Sequence, residues 1–147
     1  MSEYLNNDIQ LIQPGAPIPL RTSIGCPNGY VYHRPESGIL ILRGKTSNCF
    51  ARYQVTFNGN IAVPEGGTVG AIAIALAVDG EPIPTSRAIV TPAAVDEYFN
   101  VTSTAIITVP RGCCVNVSVE NVSEATGTTP APAINVQNSN LTVTRIA

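Results

Sequence analysis

Apolar side chains recur at every second position through most of this chain. That period of two, rather than the 3.6 of a helix, constrains the fold more than any other feature. Between Ala51 and Phe57 the odd positions are Ala51, Tyr53, Val55 and Phe57, and the even ones are Arg52, Gln54 and Thr56. A strand with this alternation has one buried face and one wet face. The pattern returns from Phe99 to Val109, where Phe99, Val101, Ala105, Ile107 and Val109 alternate with Asn100, Thr102, Thr104 and Thr108. It returns again in Cys113, Val115, Val117 and Val119 against Cys114, Asn116, Ser118 and Glu120. Further strands are expected at Tyr30–His33, Ile39–Arg43, Arg87–Thr91 and Ile134–Thr144. In the last, apolar parity moves from Ile134 and Val136 to Leu141 and Val143, as a bulge near Asn138 produces. The separators are turn sequences: Asn58-Gly59, Pro64-Glu65-Gly66-Gly67, Asp79-Gly80, Pro110-Arg111-Gly112 and the Gly127–Pro132 loop. About eight strands at this spacing, with helical signal limited to one turn at Pro92–Val95, predict an all-β sandwich or barrel.

A chain of 147 residues supports one compact domain. Only 12% of residues are charged, about half the usual ~25%, while aliphatic residues are plentiful, which excludes a disordered chain. A net charge of −2 argues against duplex nucleic acid or an anionic membrane as the main partner. Sparse charge leaves neutral surface, the material of subunit interfaces, so an oligomer is expected. The start, Met1 to Asp8, has no basic region followed by an apolar stretch, which points to folding in a cytosol. The longest apolar run, Val69–Val78, has about half the ~20 residues that cross a bilayer. It is expected as a core strand, with no membrane insertion.

Two segments depart from simple alternation. In Ala71–Val78 the large residues Ile72, Ile74, Leu76 and Val78 share one face, and Ala71, Ala73, Ala75 and Ala77 share the other. Small side chains allow close approach, so the alanine face is expected to meet a subunit interface or a covering segment of the same chain. In the first 25 residues, Pro14-Gly15-Ala16-Pro17-Ile18-Pro19 cannot supply a regular central ladder. Residues 1–25 are therefore expected as an extended arm or edge strand, and residues 26–147 as the sandwich domain. Leu5, Ile9, Leu11, Ile12, Pro14 and Ile18 are the arm's candidate packing residues.

No catalytic constellation is legible. The single histidine, His33, sits beside Arg34 and Pro35 at a strand end with no GxSxG motif, and reads as a surface or interface residue. Asp79/Glu81 and Asp96/Glu97 flank turns without calcium-loop spacing. Gly66, Gly67 and Gly70 lack the Gly-Lys-Ser/Thr of a phosphate loop. Asn100, Asn116, Asn121 and Asn140 open Asn-x-Ser/Thr triplets and read as polar strand positions. Arg21, Arg34, Arg43, Lys45 and Arg52 concentrate cations in the first third without defining a face. Adjacent strand residues point to opposite faces, so Cys113 and Cys114 cannot easily share a metal ion. The cysteines read as small buried hydrophobes, with a Cys26–Cys49 bridge as the alternative. No enzyme activity, cofactor or metal is expected.

The stretch Val55-Thr-Phe57, Asn60-Ile-Ala-Val-Pro64-Glu-Gly66-Gly67-Thr-Val-Gly70, with Asp79-Gly80-Glu81, Val90-Thr-Pro92, Tyr98-Phe-Asn-Val101, Val109-Pro-Arg-Gly112 and Val117-Ser-Val-Glu-Asn121, resembles the tumour-necrosis-factor-like jelly rolls of bacteriophages and prophages of Gram-positive bacteria. It is also similar to the globular tips of collagen-like spore-surface glycoproteins, although no Gly-X-Y repeat is present. The resemblance implies a jelly roll of two four-stranded sheets and a homotrimer with inner-sheet residues around the three-fold axis, which would account for Ala71, Ala73, Ala75 and Ala77. It implies a virion structural role, such as capsid decoration or a fibre knob, with the arm binding a capsid or other virion protein. The alternative is a carbohydrate- or receptor-binding module of a fibre tip or of a bacterial or spore surface, taking a host-surface glycan. On this reading Ala73→Glu or Ala75→Glu disrupts assembly more than folding, and deleting Met1–Leu20 removes attachment while leaving a soluble trimer.

Overall fold

The structure, a computed structural model, describes residues 2–24 and 29–147. Their strands form two six-stranded antiparallel sheets. Sheet A has β10 (Phe99–Pro110), β6 (Phe50–Ala62), β12 (Ile134–Arg145), β1 (Ser2–Asn6) and β3 (Thr22–Ile24) in that order, with β2 (Gln10–Ile12) also pairing β12. Sheet B has β4 (Val31–His33), β5 (Leu40–Arg43), β11 (Cys114–Asn121), β7 (Ile72–Val78) and β8 (Glu81–Pro82), with β9 (Ala88–Val90) pairing β7. The additional strands relative to two four-stranded sheets are mostly short. The one helical turn among the described residues is a 3-10 turn at Pro84–Ser86, not at Pro92–Val95, which forms bends and a turn.

The alternation is carried into three dimensions over most of each long strand, although Phe99 and Cys113, expected on the inward rows, are exposed at strand ends. Ala51, Tyr53, Val55 and Phe57 are fully buried between the sheets, facing a core that includes Leu40, Leu42, Ile74, Leu76 and Val117. Each large apolar side chain enclosed in this way contributes about 1.5–3 kcal/mol. The Tyr53 hydroxyl donates to the Arg43 carbonyl at 2.6 Å, which satisfies the one polar atom that ring carries inward.

Asn58-Gly59 is not a turn: β6 runs straight through it. A Cβ at Gly59 would lie 2.9 Å from Phe57 Cζ and 3.3 Å from Ser139 Cβ, so glycine is there for close packing. Its neighbour is the expected bulge. The β6–β12 register shifts between Gln137 and Asn140, and Asn138 has φ +51°, the left-handed conformation that asparagine tolerates. The Asp79-Gly80 turn has φ +51° and +86°, the conformation that closes a tight hairpin between β7 and β8.

The N-terminal segment is woven into the sandwich. β1 lies between β12 and β3, pairing Tyr4 with Leu141 and with Ser23. The chain then crosses to sheet B, where Gly15 N donates to Asn121 O and Ile18 N to Val119 O, both at 2.8 Å. These bonds occupy the edge of β11 beyond the end of β5. Tyr4, Ile12, Ile18 and Leu20 are all buried. A Cβ at Gly38 would meet Ile18 O at 2.7 Å, so glycine at 38 lets the segment approach closely.

Candidate functional site

The alanine face was the sequence's first candidate, and the chain itself closes most of it. Ala73, Ala75 and Ala77 are 2%, 1% and 0% exposed, whereas Ala71 is exposed and lies outside β7. Extending the β7–β9 register by two residues from Ala73↔Ile89 sets Arg87 opposite Ala75 and pointing to the same face. From there the Arg87 guanidinium reaches the opposite flank of β7. Its Nη2 donates to Val122 O and its Nη1 to Glu124 Oε1, both at 2.9 Å. Val122 N in turn donates to Ala73 O. The arginine stem thus lies across β7 like a strap, and residues larger than alanine would obstruct it. Of the two sequence expectations for this face, the structure shows cover from the same chain, to which Arg87, Glu120 and Pro82 of the neighbouring strands contribute.

Beside the strap is a carboxylate. Glu120 pairs with Ala75, and Ser118 with Ala77; both are largely buried. Desolvation raises the Glu120 pKa above the ordinary 4.5, against a lowering hydrogen bond from Ser118 and with a further raising contribution from Glu81.

The outer face of sheet A is different in kind. Its rows come from the even positions of β6 and β10 and from Asn140, Thr142 and Thr144 of β12. Apart from Phe50, Arg52 and Pro110 at one end and Ile106, the exposed ones are neutral hydroxyls and amides, several of them joined to one another. Thr56 Oγ1 and Thr104 Oγ1 are 3.2 Å apart. Asn100 Nδ2 donates to Asn58 Oδ1 at 2.9 Å, as does Thr102 Oγ1 at 3.1 Å. Ile106, opposite Gln54, stands in this face 60% exposed. β10 is the terminal strand of the sheet and carries no charged residue over its whole length, although edge strands are commonly protected by charge.

At the end of the sandwich where β6 finishes and β12 begins, a groove of about 780 Å³ opens between the 64–71 loop and the 124–133 loop. Leu11, Pro64, Val69, Ala71 and Pro130 line it, with Glu65 and Glu124 also in its wall. Two sequence candidates from different lists, Leu11 and Ala71, therefore meet here. Ile9 and Leu11 are 58% and 57% exposed, and Pro14 is exposed while Leu5 is half-buried. Ile12 and Ile18 are enclosed in the core and are not available to a partner.

Other singled-out residues have structural positions. His33 is half-buried rather than a plain surface residue. Its ring centroid is 4.8 Å from that of Tyr4, its Nε2 donates to Ser37 O at 2.7 Å, and its Nδ1 lies 3.1 Å from Ser23 Oγ. Asn121 is buried, its Nδ2 donating to Ile12 O and Pro132 O and its Oδ1 accepting from Ser123 N. Cys49, Cys113 and Cys114 are exposed, contrary to the expectation of buried thiols. The loops at the end of the sandwich where β6 begins carry Cys49 and Cys113, and Cys114 faces outward at the first residue of β11. The Cys26–Cys49 alternative involves a residue outside the described ones. Among the described residues no three His, Cys, Asp or Glu side chains gather into a metal-binding group, and no helix is long and apolar enough to cross a membrane.

Comparison with known proteins defines the class. No family model and no curated protein matches the chain. Among solved structures it is similar to the globular domain of zebrafish complement 1qA protein, with TM-score 0.56 and 14% identity over 96% of this chain and 94% of that one. It also aligns with the C-terminal domain of EclA, a sugar-binding protein, with TM-score 0.44 and 14% identity over 95% of this chain and 79% of that one. The first likeness places the chain among jelly-roll β-sandwiches of the C1q and tumour-necrosis-factor-like kind, the fold the alternation and the sequence resemblance led us to expect.

Proposed function

We propose that the chain is a non-enzymatic virion structural protein, a homotrimeric jelly roll that decorates a capsid or forms a fibre knob. The observation that carries this reading is the outer face of sheet A: broad, nearly uncharged, and bearing an exposed Ile106 beside the unprotected edge strand β10. A face of this composition is easily desolvated by a second copy of itself. The self-association surface therefore moves from the alanines, which Arg87 and its neighbours cover, to the Thr/Asn face. Attachment to another virion protein falls to the exposed Ile9, Leu11 and Pro14 beside the groove, and three such sites on one trimer strengthen weak individual docking. Deleting Met1–Leu20 is no longer the clean test, because it removes two strands and six buried residues.

The test is the mass in solution of the wild type and of Ile106→Arg. A trimeric wild type and a folded, monomeric variant are expected; a monomeric wild type, or a variant that trimerises normally, overturns the reading.

A second reading, a glycan- or receptor-binding module, is favoured by one observation. Tyr32 is 48% exposed near the end of the sandwich opposite the groove, and an exposed aromatic ring can stack on a sugar.

A further inference from the structure

Strand direction gathers five of the eight lysines and arginines at one end of the sandwich. β6, β10 and β12 run nearly its full length, about 40 Å for the 13 residues of β6. At one end the strand termini carry Arg43 on the outer row of sheet B, Arg52 on the outer row of sheet A, and Lys45, Arg111 and Arg145. Their loops are tied by the backbone: Gly44 N to Cys113 O at 2.8 Å, Arg111 N to Cys49 O at 2.9 Å, and Ile146 N to Arg52 O at 2.9 Å. At the other end, loops tied by Asp96 N to Val63 O at 2.8 Å carry Glu65, Asp96, Glu97 and Glu124. The two ion pairs of the described residues, Arg21–Asp8 and Arg87–Glu124, include none of the five cations at the first end. The β7–β8 hairpin carries two carboxylates, Asp79, which is turned to Asn116 N at 3.0 Å, and Glu81 at the start of β8.

Arg145 is the centre of the cationic end. Its guanidinium lies over the Tyr30 ring at 4.4 Å, and Tyr53, its partner across β6 and β12, sets a hydroxyl beside it. Among the described residues its Nη1 is buried and has no hydrogen-bond acceptor. No residue outside the described ones is an aspartate or glutamate. A desolvated guanidinium without a counter-anion is costly, and a carboxylate received side-on is the partner its planar fork matches best.

We propose that this end is an anion-binding site for an acidic polysaccharide: a sugar carboxylate pairs with Arg145, and Lys45 and Arg111, on adjoining loops, accompany the following charges. The proposal rests on the glycan-binding reading and names its ligand class. It does not depend on the oligomeric state. An acidic glycan is preferred to duplex nucleic acid because a duplex carries one charge per about 1.7 Å, a density that a chain of net charge −2 opposes more strongly than a single file of sugar carboxylates.

The experiment measures binding of the intact chain to a homogalacturonan oligosaccharide, to a neutral galactan oligosaccharide of equal length, and to single-stranded DNA. Titrations run at low and high salt. Saturable binding to the homogalacturonan alone, weakened by salt, is expected. Arg145→Gln should weaken it about tenfold, and Lys45→Glu with Arg111→Glu by a similar factor. The exposed pair covers the case in which Arg145→Gln fails to fold, and Glu97→Gln at the far end should leave affinity unchanged. Equal binding to the neutral chain overturns the anionic site and leaves the glycan reading standing. Tighter binding to DNA, or affinity indifferent to both cationic variants, overturns the proposal. Absence of binding to either sugar overturns both it and the glycan reading.

Discussion

The two outer faces of this sandwich solve the same problem in opposite ways. Each sheet turns its large apolar residues inward, so each must present something to the outside. Sheet A presents hydroxyls and amides that bond one another across strands, from Thr56 to Thr104 and from Asn100 to Asn58, and remains open. Sheet B presents methyl groups over β7 and closes them with Arg87, Glu120 and Pro82. The difference shows that small apolar side chains on an outer face can be covered within one chain, here in part by a long side chain from a flanking strand. An open face of neutral polar groups is the better candidate for contact between copies, since little charge has to be desolvated there.

The comparison breaks most readily at Ala75. Because the strap and Glu120 already enclose this position, Ala75→Glu is expected to lower folding stability by more than about 3 kcal/mol, read as the midpoint of urea denaturation. That reverses the sequence-based expectation that assembly suffers first. A variant that folds as well as the wild type but fails to assemble would restore the alanines as the interface.

Removing the strap has a smaller effect. Arg87→Ala should cost about 1–2 kcal/mol through the lost hydrogen bond to Val122 O and the lost packing. Glu124→Gln should cost less than about 0.5 kcal/mol, because that carboxylate is 74% exposed and exposed ion pairs contribute little. Equal losses from the two variants would show that the ion pair, not the cover, matters.

The smallest effect is a pH trend. The Glu120 carboxyl is raised above its ordinary value in the folded state, chiefly by desolvation. Between those two values the folded chain holds a proton that the unfolded chain has lost, so the contribution is complete below the unfolded pKa and declines as pH rises through the window. Glu120→Gln should therefore gain stability relative to the wild type as pH increases from about 4 to about 8. Parallel urea midpoints for the two proteins across that range would contradict it.

Much of the fold was legible because strand periodicity is local. β6, β10, β11 and β12, the bulge at Asn138 and the Asp79-Gly80 turn follow from which residues neighbour which. Asn58-Gly59 misled because glycine's lack of a side chain serves turns and close packing alike, and only the position of Ser139 distinguishes them. The N-terminal segment misled because its prolines exclude a regular ladder over a few residues, while Tyr4, Ile12, Ile18 and Leu20 on either side anchor it in the core. Ile9 and Leu11 looked no different from Ile12 in sequence, yet Ile9 and Leu11 face solvent and Ile12 does not.

The amino-acid order alone determined that this chain is all-β, since a period of two separates apolar from polar side chains only in strands. The tertiary structure decided which surfaces remain. Arg87 reaches across the alanines because β9 pairs with β7 in one register. The five cations share one end of the sandwich because strands of alternating direction end at the same edge of two sheets. Both depend on residues far apart along the chain, and sequence spacing carries no record of such distances until the strands pair.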